Sequence, residues 1–574
     1  MKRSGLESVL PNEGGENVRR SIAAAVAALA VVAPAAITPA ANASAGTWNL
    51  IGTNQVASSP TSGGGYPIPA GSRVPDAGTC RSGPFNSNHS ESWLAVKPGT
   101  ENLVGSSKFF FDKFSTFYMF YLGAHQILNG IPSGNNQIQG YDCLSTGTQN
   151  MPPSWTDTTD PNLDFDTKGR VYQVMLPFNA FWDASRLHPD GEIDVSFSDD
   201  MGNHWVKGNR GQALEPPNNA SARQAGHVED KQWIAVNHIV GSPNQDHVYA
   251  AWAVFNGSSN GAGTKVRLAV SRDRGGTFAT AVTISPPSQV GAAATFVYPS
   301  IDAVGDLYVA VVSFPPNGGP STIFVTRSTD DARTFMPFVA VATPSMIPTS
   351  GLPNTRFRDG INESFVASPT HAGHLYLVYE DWDTTLGQMD IKFTQSSDAG
   401  STWSAPVGVN DNVDAAGVLT DQFQPEVAAG PGGAVAIEFY DRRQACPNDA
   451  SVLAADVGRT NFCIDVSLQA YNDSGSGALS VGTNRRVTQF AWDPEQPGQH
   501  LGGLSQYPCT GARDPCPNGR GFIGDYFGLA ISATNIYSLF VSTHYPSNVT
   551  GDEGGLIYYQ QQVLGTVDRA ALGI

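Results

Sequence analysis

Four stretches decide the fold: SDDMGNHW at Ser198–Trp205, SRDRGGTF at Ser271–Phe278, STDDARTF at Ser328–Phe335 and SSDAGSTW at Ser396–Trp403. Each fits S-x-D-x-G-x-T-W/F, with two departures: Ala332 stands where glycine is expected and His204 where threonine is expected. In this pattern a hydroxyl and a carboxylate fold back to accept backbone N–H bonds inside a tight hairpin turn. The glycine supplies a positive φ, and the aromatic ring closes the gap to the next strand. One copy would carry little weight, because Ser, Asp and Gly crowd any turn. Four copies, spaced 73, 57 and 68 residues apart, describe a repeat, and a fifth, degraded copy runs through Tyr471, Asp473 and Gly475.

Working outward from these turns, a second repeat emerges. Seven times a short apolar strand is followed by a turn and a strand rich in β-branched or aromatic residues. The first strands begin near Trp93 (WLAV), Leu163 (LDFD), Trp233 (WIAV), Pro299 (PSIDAV), Phe365 (FVAS), Glu426 (EVAAG) and Phe527 (FGLAIS). Their partners begin at Leu103, Val171, Val248, Leu307, Leu375, Ala434 and Ile536. Short strands repeating at this period mean a propeller or a similar array. The expectation is an all-β propeller of four-stranded antiparallel blades A to D, with the serine–aspartate turns between C and D. Seven blades are favoured, with six as the alternative. The turn motif resembles the Asp box (BNR repeat) of the sialidase-like β-propellers.

Residues 1–45 read as an export signal: Arg19 and Arg20 precede an Ala/Val-rich core, and Ala41, Ala43 and Ala45 offer small-residue cleavage sites. The rest, 46–574, reads as one propeller domain, with 46–87 as an N-terminal closing strand and loop. Because the last blade runs out of chain near Ile557–Val563, Thr47–Val56 is expected to supply its missing strand and remove an exposed edge. Six cysteines suit an oxidising, extracellular destination, and proximity suggests pairs Cys446–Cys463 and Cys509–Cys516, with Cys80–Cys143 by elimination. A formal charge of −18 argues against nucleic acid, which asks for a basic face. It suits a soluble, secreted monomer without membrane insertion after the signal is removed.

Propeller topology places the D-to-A approaches and B-to-C loops on one rim, away from the serine–aspartate turns. That rim selects Glu229, Asp230 and Lys231; Arg356, Arg358, Asp359 and Glu363; Asp421 and Gln424; Asp525 and Tyr526. From the B-strand ends it selects Asp381 and Asp383, Tyr440 to Arg443, and His544 with Tyr545. The sialidase resemblance implies three arginines gripping a sugar carboxylate, a tyrosine nucleophile activated by a glutamate, and an aspartate acid/base. On these positions it implies Arg356, Arg358 and Arg442 or Arg443 for the grip, and Tyr526 or Tyr440 as nucleophile. Glu363 or Glu229 would be its base and Asp230 or Asp359 the acid, with Lys231 and Asp525 as further substrate contacts. The family's aromatic-Arg-Ile-Pro motif has its only near match in Ser72–Pro75, about twenty residues too early.

Three functions follow. The first is a secreted sialidase-like exo-glycosidase acting on terminal sugars of extracellular glycans. The second is a non-catalytic carbohydrate-binding or adhesive propeller, and the third a polysaccharide lyase using His544 and Tyr545. No cofactor is expected. The acidic run Asp157–Asp166 (DTTDPNLDFD) reads as a solvated turn or, alternatively, a calcium loop, although it lacks EF-type spacing.

Overall fold

The computed structural model describes residues 48–58, 89–110, 120–137, 157–178, 192–215, 227–256, 264–291, 293–314, 320–348, 351–354, 357, 359–360, 363–412, 419–496, 522–546, 555–556 and 558–574. The export signal, Cys80, Cys143, Cys509, Cys516, Arg356 and Arg358 lie outside them.

Seven four-stranded antiparallel sheets follow one another along the chain, six of them in sequential strand order and the seventh taking its outermost strand from the start of the chain, and they are the seven blades of the propeller. Their innermost strands are His89–Val96, Asp157–Phe165, His227–Val236, Ala294–Ile301, Glu363–Ala367, Gln422–Ala429 and Gly528–Ile531, for blades 1 to 7. The second strands are buried on both faces between neighbouring blades, which is why they read as continuous apolar runs: Val248 to Ala253 in blade 3 are wholly enclosed. Each seam is a separate core. Tyr172, Val174 and Val195 of blade 2 pack on Ile234, Ala250 and Trp252 of blade 3, and Tyr249 and Leu268 of blade 3 pack on Val309 and Val311 of blade 4. The outermost strands of blades 2, 3 and 5 are two residues long, and so short an edge offers little for another chain to pair with.

Blade 7 is completed by the N-terminus. Thr53–Val56 pairs antiparallel with Gln561–Asp568, from Thr53 opposite Thr566 to Val56 opposite Val563. Just before it the chain crosses the edge of blade 6, where the Ile51 N–H donates to the Arg486 carbonyl at 2.9 Å. Gly52 is required there, because a Cβ would meet the Val487 carbonyl oxygen at 2.2 Å.

The four serine–aspartate stretches all connect third to fourth strands, in blades 2 to 5. In each, the serine hydroxyl accepts the N–H four residues on, at 2.8–3.0 Å: Gly202, Gly275, Ala332 and Gly400. The aspartate accepts the next N–H bond, as Asp273 does from Thr277 at 2.7 Å, and also the threonine hydroxyl. The two departures keep the geometry: His204 puts its ring Nδ1 on Asp200 in place of the hydroxyl, and Ala332 adopts φ 58° without glycine's freedom. In blade 6 Asp473 does the serine's work, its carboxylate accepting from the Gly475 and Gly477 N–H groups at 2.7 and 3.1 Å. The same carboxylate takes His374 and the Tyr376 hydroxyl of blade 5 at 2.6 Å each, so the turn also fastens one blade to the next.

One expectation is overturned. Asp157–Phe165 is not a solvated turn but the innermost strand of blade 2, with Asp160 only 4% exposed. Its aspartates alternate with residues enclosed between blades, which composition alone does not distinguish from a polar loop.

Candidate functional site

Five innermost strands break register at the same place, close to where each enters the sheet. The breaks fall between Ser90 and Ser92, Thr159 and Asn162, Asp230 and Trp233, Thr295 and Val297, and Phe423 and Glu426. Each is a bulge containing a non-glycine residue at positive φ: Glu91 (40°), Asp160 (57°), Lys231 (52°), Phe296 (51°) and Gln424 (48°). A left-handed L-residue costs about 1–2 kcal/mol, and a bulge re-aims the side chain it carries. Such strain clusters at functional sites, and here it recurs at one level of five blades. Blade 7 reaches the same level through Gly524 at φ 116°, where a Cβ would stand 2.6 Å from the Glu91 nitrogen, and this brings Asp525 and Tyr526 against blade 1.

The ring is strongly charged. Lys231 Nζ lies 2.8 Å from Asp525 Oδ2, and Lys108 Nζ lies 2.7 Å from Glu91 Oε2 and 4.0 Å from Asp160 Oδ1. Burial acts to raise Asp160, but Lys231 and then Lys108 outweigh it and hold this carboxyl below its ordinary value. Asp230, which shares a hydrogen bond with Asp160, is pushed up to about 6 by burial, with Lys231 opposing and Asp160 adding to the rise. The two bonded carboxyls are thus pushed apart, and Asp230 holds a proton more readily than Asp160. Burial raises Glu91 to about 7 against the pull of Lys108. Across the axis, burial holds Glu363 and Glu426 well above the usual carboxylate range and Asp359 at about 8. Burial opposes the charge on Lys231, yet Asp525, Asp160, Asp230 and Glu91 keep it above its ordinary value.

Beneath the ring is an aromatic floor. Trp93 of blade 1 and Trp233 of blade 3 stand edge to face with centroids 4.5 Å apart, although blade 2 lies between them. They meet because blade 2 presents only Asn162 at the equivalent position. Tyr298 of blade 4 and Tyr526 of blade 7 pack on Trp233 at 4.5 and 5.1 Å. Rings from non-adjacent blades thus touch across the axis at this layer.

Of the residues expected from sequence, Asp230, Lys231, Asp525 and Tyr526 come together on the ring, joined by Gln424. The Tyr526 hydroxyl donates to the Pro161 carbonyl at 3.2 Å, and the acids that act on it most strongly are Glu91 and Asp160 rather than Glu363. Burial raises Tyr298 well above its ordinary value, and Glu363 is the first acid to add to that effect. The arginines are placed elsewhere. Arg442 is wholly buried and donates to the Pro353, Asn354 and Phe462 carbonyls and to Asp421, fastening loops together. Arg443 faces the outer part of blade 6, held by Asp441 at 2.7 Å and Asp411 at 2.9 Å, with its guanidinium 4.9 Å from the Trp48 ring. Tyr440 is buried between blades 6 and 7, its hydroxyl accepting the Val541 N–H, and Glu229 is buried with no exposed surface. Asp381 accepts the Ser345 N–H, and Asp383 staples its own turn. His544 stacks on Phe490 at 4.0 Å, with Tyr545 edge-on, beside the loop closed by Cys446–Cys463.

Sequence reading missed Glu91, Asp160, Lys108, Tyr298 and Trp93. The signal was present: Glu91-Ser-Trp-Leu-Ala-Val and Lys231-Gln-Trp-Ile-Ala-Val are the same strand with the charge exchanged. Among the described residues no group of three or more His, Cys, Asp or Glu side chains is arranged to hold a metal ion.

No family model matches the chain. Over 72 residues it is 36% identical to phycoerythrin alpha subunits of Hemiselmis virescens, a stretch covering 12% of this chain and 66% of the length of those subunits. Among solved structures it is similar to a Hadza microbial sialidase (12% identity, 82% of this chain and 76% of that one, TM-score 0.38). It is also similar to an alpha-L-arabinanase of Penicillium chrysogenum complexed with arabinobiose (12%, 72% and 94%, 0.35). A third is an ulvan lyase of polysaccharide lyase family PL25 (9%, 79% and 91%, 0.39). At such scores these likenesses carry no argument, and the fold rests on the sheet topology itself.

Proposed function

We propose that this propeller is a secreted exo-glycosidase, acting on terminal sugars of extracellular glycans at the charged ring over the aromatic floor. The observation that carries this is a pair of bonded carboxyls held apart, burial raising Asp230 to about 6 while Lys231 and Lys108 hold Asp160 below its ordinary value, beside the rings of Trp93, Trp233, Tyr298 and Tyr526. Glycosidic cleavage needs an acid that delivers a proton to the leaving oxygen, with a second group on the opposite side of the sugar. Asp230 is the acid in this reading. Glu363 and the tyrosines Tyr298 and Tyr526 line the other positions around the sugar. Sialic acid specificity would rest on Arg356 and Arg358, since Arg442 and Arg443 are committed elsewhere.

The second reading is a non-catalytic sugar-binding propeller. It is favoured by the Tyr526 hydroxyl, which is bonded to a backbone carbonyl rather than facing a base. One experiment separates them: release of a fluorescent leaving group from a panel of aryl glycosides, sialosides included, by the full-length protein and by Asp230→Asn. The hydrolase reading expects turnover that falls as pH rises through about 6, as Asp230 loses its proton, and at least about a hundredfold loss in the variant. Sugar binding without turnover on any member of the panel establishes the binding reading instead.

A further inference from the structure

We infer that Phe296, the bulge residue of blade 4, touches the substrate: its phenyl group, flanked by that of Phe314, receives the apolar C–H face of a sugar. This rests on the charged ring being the glycan site, and it names the side chain that grips the sugar there. Of the five residues at positive φ, Glu91, Asp160, Lys231 and Gln424 are buried, between 1% and 9% exposed, whereas Phe296 keeps part of its surface open. The four polar residues are fastened by polar groups: Glu91 by Lys108, Asp160 by the Thr159 hydroxyl, Lys231 by Asp525, and Gln424 by the Gly524 carbonyl. Phe296 has no such bond to make. A bulky side chain at φ 51° is an outlier, and glycine would take that backbone without strain, as Gly524 does in blade 7.

The surroundings of Phe296 show what its open side meets. Its packing is one-sided, against the cluster that contains Trp233, Tyr298 and Tyr526. Lys231 Nζ lies 5.2 Å from the centre of its phenyl group, and the N–H of the same lysine donates to Asp230 Oδ1 at 2.9 Å. Asp230 is itself only partly buried, so an open acid and an open aromatic face are joined through one residue. Phe314 follows the second strand of blade 4, Leu307–Ser313, where its N–H donates to the Ala293 carbonyl at 2.8 Å. It is also partly exposed, and the two phenyl groups stand 6.1 Å apart with planes tilted by 52°. The C–H bonds of a sugar form an apolar face that an aromatic side chain covers, while its hydroxyls stay at the edge for polar partners. A strained, half-open phenylalanine beside a carboxylic acid fits that division, and strain of this kind persists where it serves a site.

The test compares the full-length protein with Phe296→Gly and Phe296→Tyr. A panel of methyl glycosides titrated by calorimetry gives affinity, the matching aryl glycosides give KM and kcat, and calorimetric melting gives stability. Phe296→Gly is expected to weaken binding of the preferred methyl glycoside by at least about tenfold. KM should rise alike with kcat within about threefold, because a face contact holds the sugar equally before and during reaction. The melting temperature should stay within about 3 °C of wild type, the relieved backbone offsetting the one-sided packing that is lost. Phe296→Tyr keeps the aromatic face and should bind within about threefold of wild type. Unchanged affinity in Phe296→Gly overturns the inference and leaves the hydrolase reading standing wherever turnover is seen. A larger fall in melting temperature, or failure to fold, also overturns it, since the phenyl group would then be structural. Weakened binding of a sugar that no form of the protein cleaves supports the inference and removes the hydrolase reading. A wild-type protein that binds none of the methyl glycosides overturns both.

Discussion

Replacing His125 with glutamine tests how the ring is closed. His125 lies in blade 1, 1% exposed, with Nε2 2.8 Å from Ser107 Oγ and Nδ1 2.5 Å from Asn135 Oδ1. Ser107 is in turn 3.0 Å from His89 Nδ1, so a polar chain crosses all four strands of the blade beside the N-terminal closing segment. Burial lowers His125 from 6.5 to about 4, against the Asn135 bond and a bond to the Ala57 backbone, both of which act to raise it. In the unfolded chain the ring regains its ordinary value. Between these two pH values the unfolded chain binds a proton that the folded one does not. The stability from this site is therefore complete above pH 6.5 and is lost as pH falls through 4. At about 1.36 kcal/mol per pH unit the interval is worth about 3 kcal/mol. Glutamine keeps a bond to Ser107 but cannot titrate, so the variant should be weaker than wild type at pH 7.5 by about 1–3 kcal/mol, the cost of an imperfect buried bond. That gap should shrink by about 2–3 kcal/mol at pH 4.5, measured by equilibrium urea unfolding at several pH values. A gap independent of pH would refute the reasoning, because it would mean that His125 titrates alike in both states.

Deleting residues 47–56 should lower the melting temperature by about 5 °C or more, because it uncovers the edge of Gln561–Asp568, where Val563 and Leu564 are now fully buried. Unchanged calorimetric melting would show that the closing strand contributes nothing. In the turn series, Ala332→Gly should stabilise by up to about 1 kcal/mol by relieving φ 58°, whereas Gly275→Ala should cost about 1–2 kcal/mol. The cost arises because a Cβ at Gly275 meets the Tyr172 ring at 3.0 Å, and urea unfolding of both variants reads the contrast directly. Cys446→Ser with Cys463→Ser should speed proteolysis within residues 446–463, a loop closed by 17 residues of separation, while hydrogen exchange in the blade strands stays unchanged.

The architecture was legible because a propeller writes its period into side chains. The serine, aspartate and glycine of each turn have no other role to obscure them, and the buried second strands read as plain apolar runs. The closing strand was legible for the same reason, since a blade short of one strand must find it elsewhere. The site was only half legible. Tyr526, Asp230, Lys231 and Asp525 could be placed by position ahead of a strand. Glu91 and Asp160 hold the bulge position that Lys231 holds in blade 3, but they were missed because the residues ahead of Trp93 and Leu163 were not read in that same register. Tyr298 was hidden by starting its strand one residue late, at Pro299. Arg442 and Arg443 illustrate the opposite error: adjacent charges at a strand end suggest a rim, but Arg442 is covered by loop carbonyls and Arg443 by the N-terminal Trp48.

The bulges also set one rim of the propeller apart from the other. Trp93, Trp233, Tyr298 and Tyr526 pack on one another across the axis next to the charged ring. On the opposite rim the polar groups of the turns bond to one another, as Asp473 does with His374 and Tyr376. On the rim of the charged ring the repeat is broken. The break is systematic: five blades accept a strained residue at one level, and the residue type changes from Glu to Asp to Lys to Phe to Gln around the circle. A purely structural device would have kept one residue type, as the serine turns do. Conserved strain carrying varied side chains is what a closed ring needs in order to become an asymmetric binding site while its blades remain copies of one another.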